Sequence, residues 1–520
     1  MQPRSTIAAP QTGQVRSTRS GSAAAPGGPC GLPSSADIEG SLAAFSRSGQ
    51  GPRPARYHRA VAPARARRRC SVARRIVIVG AGVVGYTSAQ RLSAEGHDVV
   101  LIERDEDAAT EISDKLDIQV VVGNGCSLAV LREAELERAD LLLAVTNSDE
   151  VNMITALIAG SQFQVETKVV RLRSQEYLDN ISELAALWHG RTFGISPDRV
   201  AAERIVALLG VPHAVDVADV LEHRLQVTGF RVPRSCPIAG RTLADVRRDH
   251  PEATFLLAAI YRGDRAFLPR GDTRLEVGDV AYFAVRPEEA AAVARLLGFP
   301  EVRADRVVIG GGGRIGRLVA RAALERGLRV AIIRRNRAEA ERLAVEMPRA
   351  LVLGGDITRE EILLEAGIDG ATFVAVTNSQ EVNLLSSVQA RQLGAERVIT
   401  LVDSPTYVGL AEAAGIHASV SPRLASVGEI LKFVRGLHVE EVQSLPFEKI
   451  EVSTVDVDDS SPLAGRPLRE LGIPQGVLVA AVLDGDRVIV PDGETVIRPG
   501  SKAVLFSTAE SAARLARLVD

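Results

Sequence analysis

From Ile76 onward, short apolar runs alternate with longer stretches of mixed character. Residues 76–79, 99–102, 119–122, 141–145 and 169–172 are apolar and of strand length, and the segments between them, such as 108–116 and 127–134, are of helix length. Continuous apolar runs are what strands buried on both faces require. Their alternation with helices predicts a parallel sheet with right-handed crossovers, covered by helices. Between about 215 and 297 the grammar changes. Runs at 224–227, 255–261 and 280–285 are broken by Gly263-Asp264, Gly271-Asp272 and Gly278-Asp279, which predicts hairpins in a small mixed domain closed by a helix over 288–297.

Both patterns return. The strand before Gly80 and the turn after it reappear 231 residues later, before and after Gly311. The hairpin module reappears as well: Pro237-Ile238-Ala239-Gly240-Arg241-Thr242-Leu243 has its counterpart in Pro462-Leu463-Ala464-Gly465-Arg466-Pro467-Leu468. The order is A, B, A, B, with A units at 74–210 and 304–435, B units at 213–299 and 440–520, and a tail at 1–73.

Each A unit opens on a glycine turn between strand and helix: Gly80, Ala81, Gly82, Val83, Val84, Gly85 in the first, and Gly311, Gly312, Gly313, Arg314, Ile315 with Gly316 in the second. A Gly-x-Gly-x-x-Gly in this setting has three tasks: a tight turn, close approach of a pyrophosphate, and tight packing of helix on strand. The phosphate then meets free amides at the positive end of a helix. Glu103 ends the second strand, where an acid can accept hydrogen bonds from ribose hydroxyls. The fold class is therefore α/β, with two Rossmann-like doubly wound parallel-sheet domains, each followed by a small α+β domain.

Ligands of such sheets lie beyond the carboxyl ends of the strands. That rule selects the glycine turn, Glu103, Gly123-Asn124, Thr146-Asn147-Ser148 and Arg171. Asn124, Thr146 and Asn147 serve equally as helix caps or ligand contacts. An Arg inside an apolar strand is costly unless it meets an anion, so Arg171 calls for a phosphate, for Glu103, or for a solvated strand end.

The copies differ at telling places. Thr146-Asn147-Ser148-Asp149-Glu150-Val151-Asn152 is matched by Thr377-Asn378-Ser379-Gln380-Glu381-Val382-Asn383, whereas Arg334 stands for Glu103 and Leu401 for Arg171. An Arg at the ribose position suits a 2′-phosphate or another anion; the alternative is a second copy that keeps the scaffold without dinucleotide affinity.

Composition narrows the function. The 520 residues carry net charge −3, but residues 1–75 hold thirteen Arg against Asp37 and Glu39, a local +11 that leaves the remainder near −14. An acidic folded part argues against nucleic acid. No window is apolar and long enough to span a bilayer, so contact with a membrane falls to a partner. The cysteines Cys30, Cys70, Cys126 and Cys236 have no zinc or disulfide spacing, which suits a reduced, cytoplasmic compartment. The Arg-, Ser- and Pro-rich tail reads as disordered: a basic arm for anionic lipid, a transit-like peptide, or an over-extended reading frame with the start near Val72.

A Val-Gly-Ala-Gly-x-Val-Gly opening, Val-Thr-Asn-Ser-Asp-Glu-x-Asn after the fourth strand, and a following domain with Pro-Ile-Ala-Gly-Arg-Thr-Leu together resemble the RCK (also KTN) potassium-conductance regulators. The tandem arrangement over 74–520 is similar to the cytosolic regulatory subunits of bacterial Trk potassium uptake. The resemblance implies a ring of such units, a dimer or tetramer of chains, seated on an integral-membrane potassium-translocating subunit of the TrkH/TrkG type. It places the protein in the cytoplasm, peripheral to the inner face of the membrane, and implies a regulator rather than an enzyme. It implies NAD or NADH as ligand, with ATP or ADP also taken by such units, and contacts at residues 80–84, Glu103, Thr146, Asn147 and Arg171. In the second unit only the glycine turn carries over. Two other readings stand beside it. A subunit of another cation transporter or antiporter would use the same modules. An NAD(P)-dependent oxidoreductase would need an acid or base near the nicotinamide, and the eight His cluster near neither glycine turn. The B units either bind a small ligand or dimerise, and dimerisation is the expectation.

Overall fold

A computed structural model describes residues 73–520 apart from 187, 251–254, 303–304, 436–438, 446–448, 512–514 and 516–520. The readings of the basic tail up to residue 72 therefore lie outside the described residues.

The first A unit is a parallel sheet of β1 (Arg75–Val79), β2 (Asp98–Glu103), β3 (Gln119–Val122), β4 (Leu141–Ala144), β5 (Thr167–Arg171) and β6 (Arg191–Ile195) in the order 3-2-1-4-5-6. Five of these strands are legible as apolar runs. The sixth, Arg191-Thr192-Phe193-Gly194-Ile195, is an edge strand with a charged end and a glycine, too mixed to stand out. Ile76, Val77 and Ile78 are wholly buried, as a central strand covered on both faces demands.

The first B unit is antiparallel: β7 (Ala214–Val220), β8 (Leu225–Arg231), β9 (Leu256–Arg262), β10 (Arg265–Phe267) and β11 (Val280–Val285), ordered 10-9-11-8-7. The second half repeats both sheets. Strands β12 (Arg306–Gly310), β13 (Arg329–Arg334), β14 (Leu351–Gly354), β15 (Thr372–Ala375), β16 (Arg397–Leu401) and β17 (Ala418–Val420) run 14-13-12-15-16-17. Then β18 (Val439–Ser444), β19 (Ile450–Val457), β20 (Val477–Asp484), β21 (Arg487–Ile489) and β22 (Ser501–Thr508) run 18-19-22-20-21, the first antiparallel sheet read from its other edge.

The halves are joined by exchange. Helix Pro197–Gly210 follows β6, yet Ala201, Ile205 and Leu208 share a core with Val307, Ile309 and Ile332 of the second parallel sheet. Helix Pro422–Arg435 returns the favour, with Val427, Ile430 and Leu431 packed among Ile76, Leu101 and Leu143 of the first. Each fully buried Leu or Ile of this kind contributes about 1.5–3 kcal/mol. The B sheets also pack on one another: Val220, Val227 and Ala259 meet Ile450, Val452 and Phe506 in one cluster. The two B units thus pair within a single chain.

Arg397, at the start of β16, is buried and donates to the carbonyls of Leu208, Val211 (2.9 Å) and Ala214 (2.6 Å), at the end of the exchanged helix and the entry to β7. Burial pushes its guanidinium down to about 10. The carbonyl dipoles at a helix end are the natural partner for such a cation.

Candidate functional site

The first cleft opens where β1 ends. Gly80 has φ +99, and a Cβ there would lie 2.9 Å from the Cα of Thr146. Only glycine fits so close an approach of β1 to β4. A Cβ on Gly85 would lie 1.9 Å from the carbonyl oxygen of Gly80, so the third glycine seats helix Val83–Ala94 on the turn. Gly82 is different: a side chain there would meet nothing within 4 Å. Its backbone faces open space, and the first turn of the helix carries no acidic residue to compete for its amides.

Glu103 closes the turn from β2. Its Oε2 accepts from the amide of Ala81 at 2.7 Å, and its Oε1 accepts from the amides of Arg104 (2.7 Å) and Asp105 (3.1 Å). Glu103 is therefore held by backbone, and the expectation of a Glu103–Arg171 pair is corrected. Arg171, half-buried at the end of β5, donates through Nη1 to the carbonyl of Thr146 at 3.4 Å. Its Nε is buried and has no hydrogen-bond partner among the described residues. Burial lowers this guanidinium from its ordinary value, Arg173 adds to the effect, and Asp198 and Asp149 oppose it.

The Thr146 turn rests on a residue the strand-end rule does not select. Asn152, wholly buried, accepts through Oδ1 from Thr146 N (2.9 Å) and Oγ1 (2.7 Å), and donates through Nδ2 to the carbonyls of Thr146 (3.2 Å) and Arg171 (2.8 Å). One amide thus ties the ends of β4 and β5 together. The repeat of Thr-Asn-Ser-x-Glu-Val-Asn in both halves was the available signal, since Asn closes the motif each time. Helix capping falls to Ser148, whose Oγ accepts from Val151 N at 3.2 Å, rather than to Thr146 or Asn147. Asn147 itself is exposed. Asn124 caps no helix either: its Oδ1 accepts from Cys126 N at 3.0 Å, two residues on.

The second cleft has the same backbone with different contents. Gly311 has φ +125, a Cβ on Gly316 would lie 1.9 Å from the Gly311 carbonyl oxygen, and Asn383 repeats the bonds to Thr377. At Gly312 the room that the Ala81 methyl takes in the first half is taken by neighbours: a Cβ there would lie 2.7 Å from Leu343 Cδ2 and 3.4 Å from Arg334 Cδ. Arg334 is itself held by Glu339, with Nε donating to Oε2 at 2.6 Å. Arg314 and Ile315 begin the helix Arg314–Glu325, and Arg314 pairs with Asp198 of the first half at 3.5 Å. Gly313 stays open. The first cleft thus fits a dinucleotide, with an open amide turn, an acid at the ribose position and an unpartnered buried guanidine nitrogen. The second keeps an open glycine at Gly313 but has no acid at the ribose position, and its cation there, Arg334, is already paired.

The fold and this cleft define a protein of tandem Rossmann-type units, each with an antiparallel companion. The TrkA-N domain model matches residues 76–187 and 307–422, and the TrkA-C domain model matches 227–298 and 452–520. The chain belongs to the TrkA family of Trk-system potassium uptake proteins. It is 35% identical to the Trk system potassium uptake protein TrkA of Azorhizobium caulinodans, over 85% of this chain and 98% of that one. It is also 35% identical to that of Halomonas elongata, over 83% and 95%. Its fold is that of the GsuK RCK domain (TM-score 0.55, 20% identity, covering 86% and 95%) and of the GsuK channel bound to NAD (0.54, 20%, 86% and 79%).

Among the described residues no helix is long and apolar enough to cross a membrane, and no group of His, Cys, Asp and Glu could hold a metal ion.

Proposed function

We propose that this chain is the nucleotide-sensing regulatory subunit of a Trk-type potassium uptake system. In this reading NAD or NADH binds in the first cleft, and its binding biases a membrane-embedded potassium-translocating partner of the TrkH/TrkG type. The observation that carries it is the contrast at the strand ends: Glu103 fastened to the turn and Arg171 Nε unpartnered among the described residues in the first half, Arg334, tied to Glu339, and Leu401 in those places in the second. GsuK, a channel of the same fold, is described with NAD bound. ATP and ADP are the competing ligands of the same cleft.

The reading is of a regulator without catalysis, divided at 74–210, 213–299, 304–435 and 440–520, held at the inner face of the membrane by its partner. Ile154 and Leu385 occupy the same place in the two halves and are 45% and 58% exposed, which supports assembly of several chains through these helix faces. A ligand shifts such an assembly only by its difference in affinity for two conformations, and about 1–3 kcal/mol suffices for a useful response.

Calorimetric titration of the full chain with NADH, NAD, ADP and ATP tests this directly. One site per chain, with the nicotinamide dinucleotides or adenine nucleotides competing for it, is the expected result. Two equal sites would remove the assigned difference between the clefts, and no heat with any of the four would remove nucleotide sensing.

A further inference from the structure

Helix Val83–Ala94 has the glycine turn at one end and the second antiparallel module at the other. Twelve residues span about 18 Å, so the helix is a rod between the phosphate position and whatever touches its last turn. Near that end Arg91 pairs with Glu451 of β19, and through Nε with Glu95 at 3.1 Å. The Glu451 side chain is 0% exposed and that of Arg91 10%.

An ion pair so buried adds little net stability, because desolvation offsets most of the attraction; an apolar pair of equal volume would hold the contact as well. What a buried pair supplies is register. The register here concerns a strand in a sensitive place. Side chains alternate across a strand, and the neighbours of Glu451, Ile450 and Val452, lie in the cluster that joins the two antiparallel sheets. Strand β19 thus has the nucleotide helix on one face and the partner module on the other.

The link exists on one side only. In the second half Ala322 stands where Arg91 does, and Gln226 of β8 stands for Glu451. Gln226 donates instead to Oδ1 of Asp219, its cross-strand neighbour in the same hairpin, at 2.7 Å. The half with Glu103 at the ribose position has the ion pair, and the half with Arg334 there has no counterpart of it.

We propose that the Arg91–Glu451 pair is the strut by which occupancy of the first cleft reaches the paired antiparallel modules. The inference rests on the reading of that cleft as a nucleotide site. It is tested on the full chain by hydrogen exchange over 450–457 with and without NADH, alongside calorimetry. In the wild type NADH slows exchange in this strand by about fivefold or more, the lower end of ordinary coupling between sites. In Arg91→Met and in the near-isosteric Glu451→Gln, NADH still binds within about threefold of wild type, but exchange over 450–457 no longer responds. Arg91→Lys, which keeps the charge, restores at least part of the response. A purely structural role would raise exchange in the variants and leave the NADH response in place; that result, or a wild-type strand indifferent to bound NADH, overturns the strut. Failure of NADH to bind the wild type overturns the cleft reading instead, and the strut with it.

Discussion

Ala81 N donates to Glu103 Oε2 at 2.7 Å, so the acid that ends β2 is fastened to the turn that follows β1. The carboxylate thus holds the turn in shape, at the strand end where a ribose would be met. Glu103→Ala is expected to weaken NADH binding about tenfold or more and to lower stability by about 1.5–3 kcal/mol, the usual worth of a hydrogen bond to a charged group. Calorimetry and urea unfolding of one preparation read both.

The two open glycines separate folding from binding. Gly82→Ala places its methyl in free space, so the unfolding midpoint stays within the error of measurement while the methyl blocks approach to the amides and NADH binding falls at least about tenfold. Gly313→Ala, equally free of clashes, leaves NADH binding unchanged because the second cleft is not the site.

Asn152 and Asn383 make the same bonds in the two halves. Replacing either by Ala strands buried amide and carbonyl groups, and each substitution is expected to destabilise by about 2–4 kcal/mol in urea unfolding. Equal costs mark the turn as scaffold in both copies; only Asn152→Ala, by freeing the Thr146 and Arg171 strand ends, also weakens the ligand.

Arg171 gives up hydration without a full set of partners, and the second half uses Leu401 in its place. Arg171→Leu is therefore expected to leave the ligand-free protein as stable as wild type or more so, while lowering affinity for NADH by about 1.5–3 kcal/mol, the range for a lost charged hydrogen bond. Thermal shifts with and without NADH show the two effects with opposite sign.

His417 lies beside the Arg397 latch, with Nδ1 accepting from Val398 N at 3.1 Å. Desolvation first, then Arg397, Arg391 and His213, push its pKa from 6.5 down to about 4. Below pH 6.5 the unfolded chain takes up the proton before the folded one does, so stability is lost as pH falls from about 6.5 toward 4. Between pH 7 and 5 the loss is about 2 kcal/mol. Comparison of urea midpoints for wild type and His417→Gln isolates it from the carboxylates that titrate in the same range, and the variant's curve is flatter by that amount.

Much of the fold was legible because it is written locally. The glycine turns, Glu103, the Thr146 motif and the change from alternating helices to hairpins are each signalled within a few residues. What was not legible depends on distance. The pattern of helix Pro197–Gly210 announces an apolar face, but nothing in it says that the face belongs on the other half's sheet. The partner of Glu103 was likewise hidden, since backbone amides leave no trace in a sequence and an Arg at the next strand end does. Asn152 escaped because the strand-end rule looks for groups that face outward, and this one works from beneath.

The exchanged helices bear on how such a chain could arise. A single half, made alone, would leave the sheet face covered by Val427, Ile430 and Leu431 bare and would carry a helix with no sheet of its own. Two identical halves would satisfy each other, with both copies bound to stay alike. Joining them in one polypeptide fixes their ratio at one to one and lifts that obligation. One copy can then lose its acid, so long as its last helix still covers its neighbour.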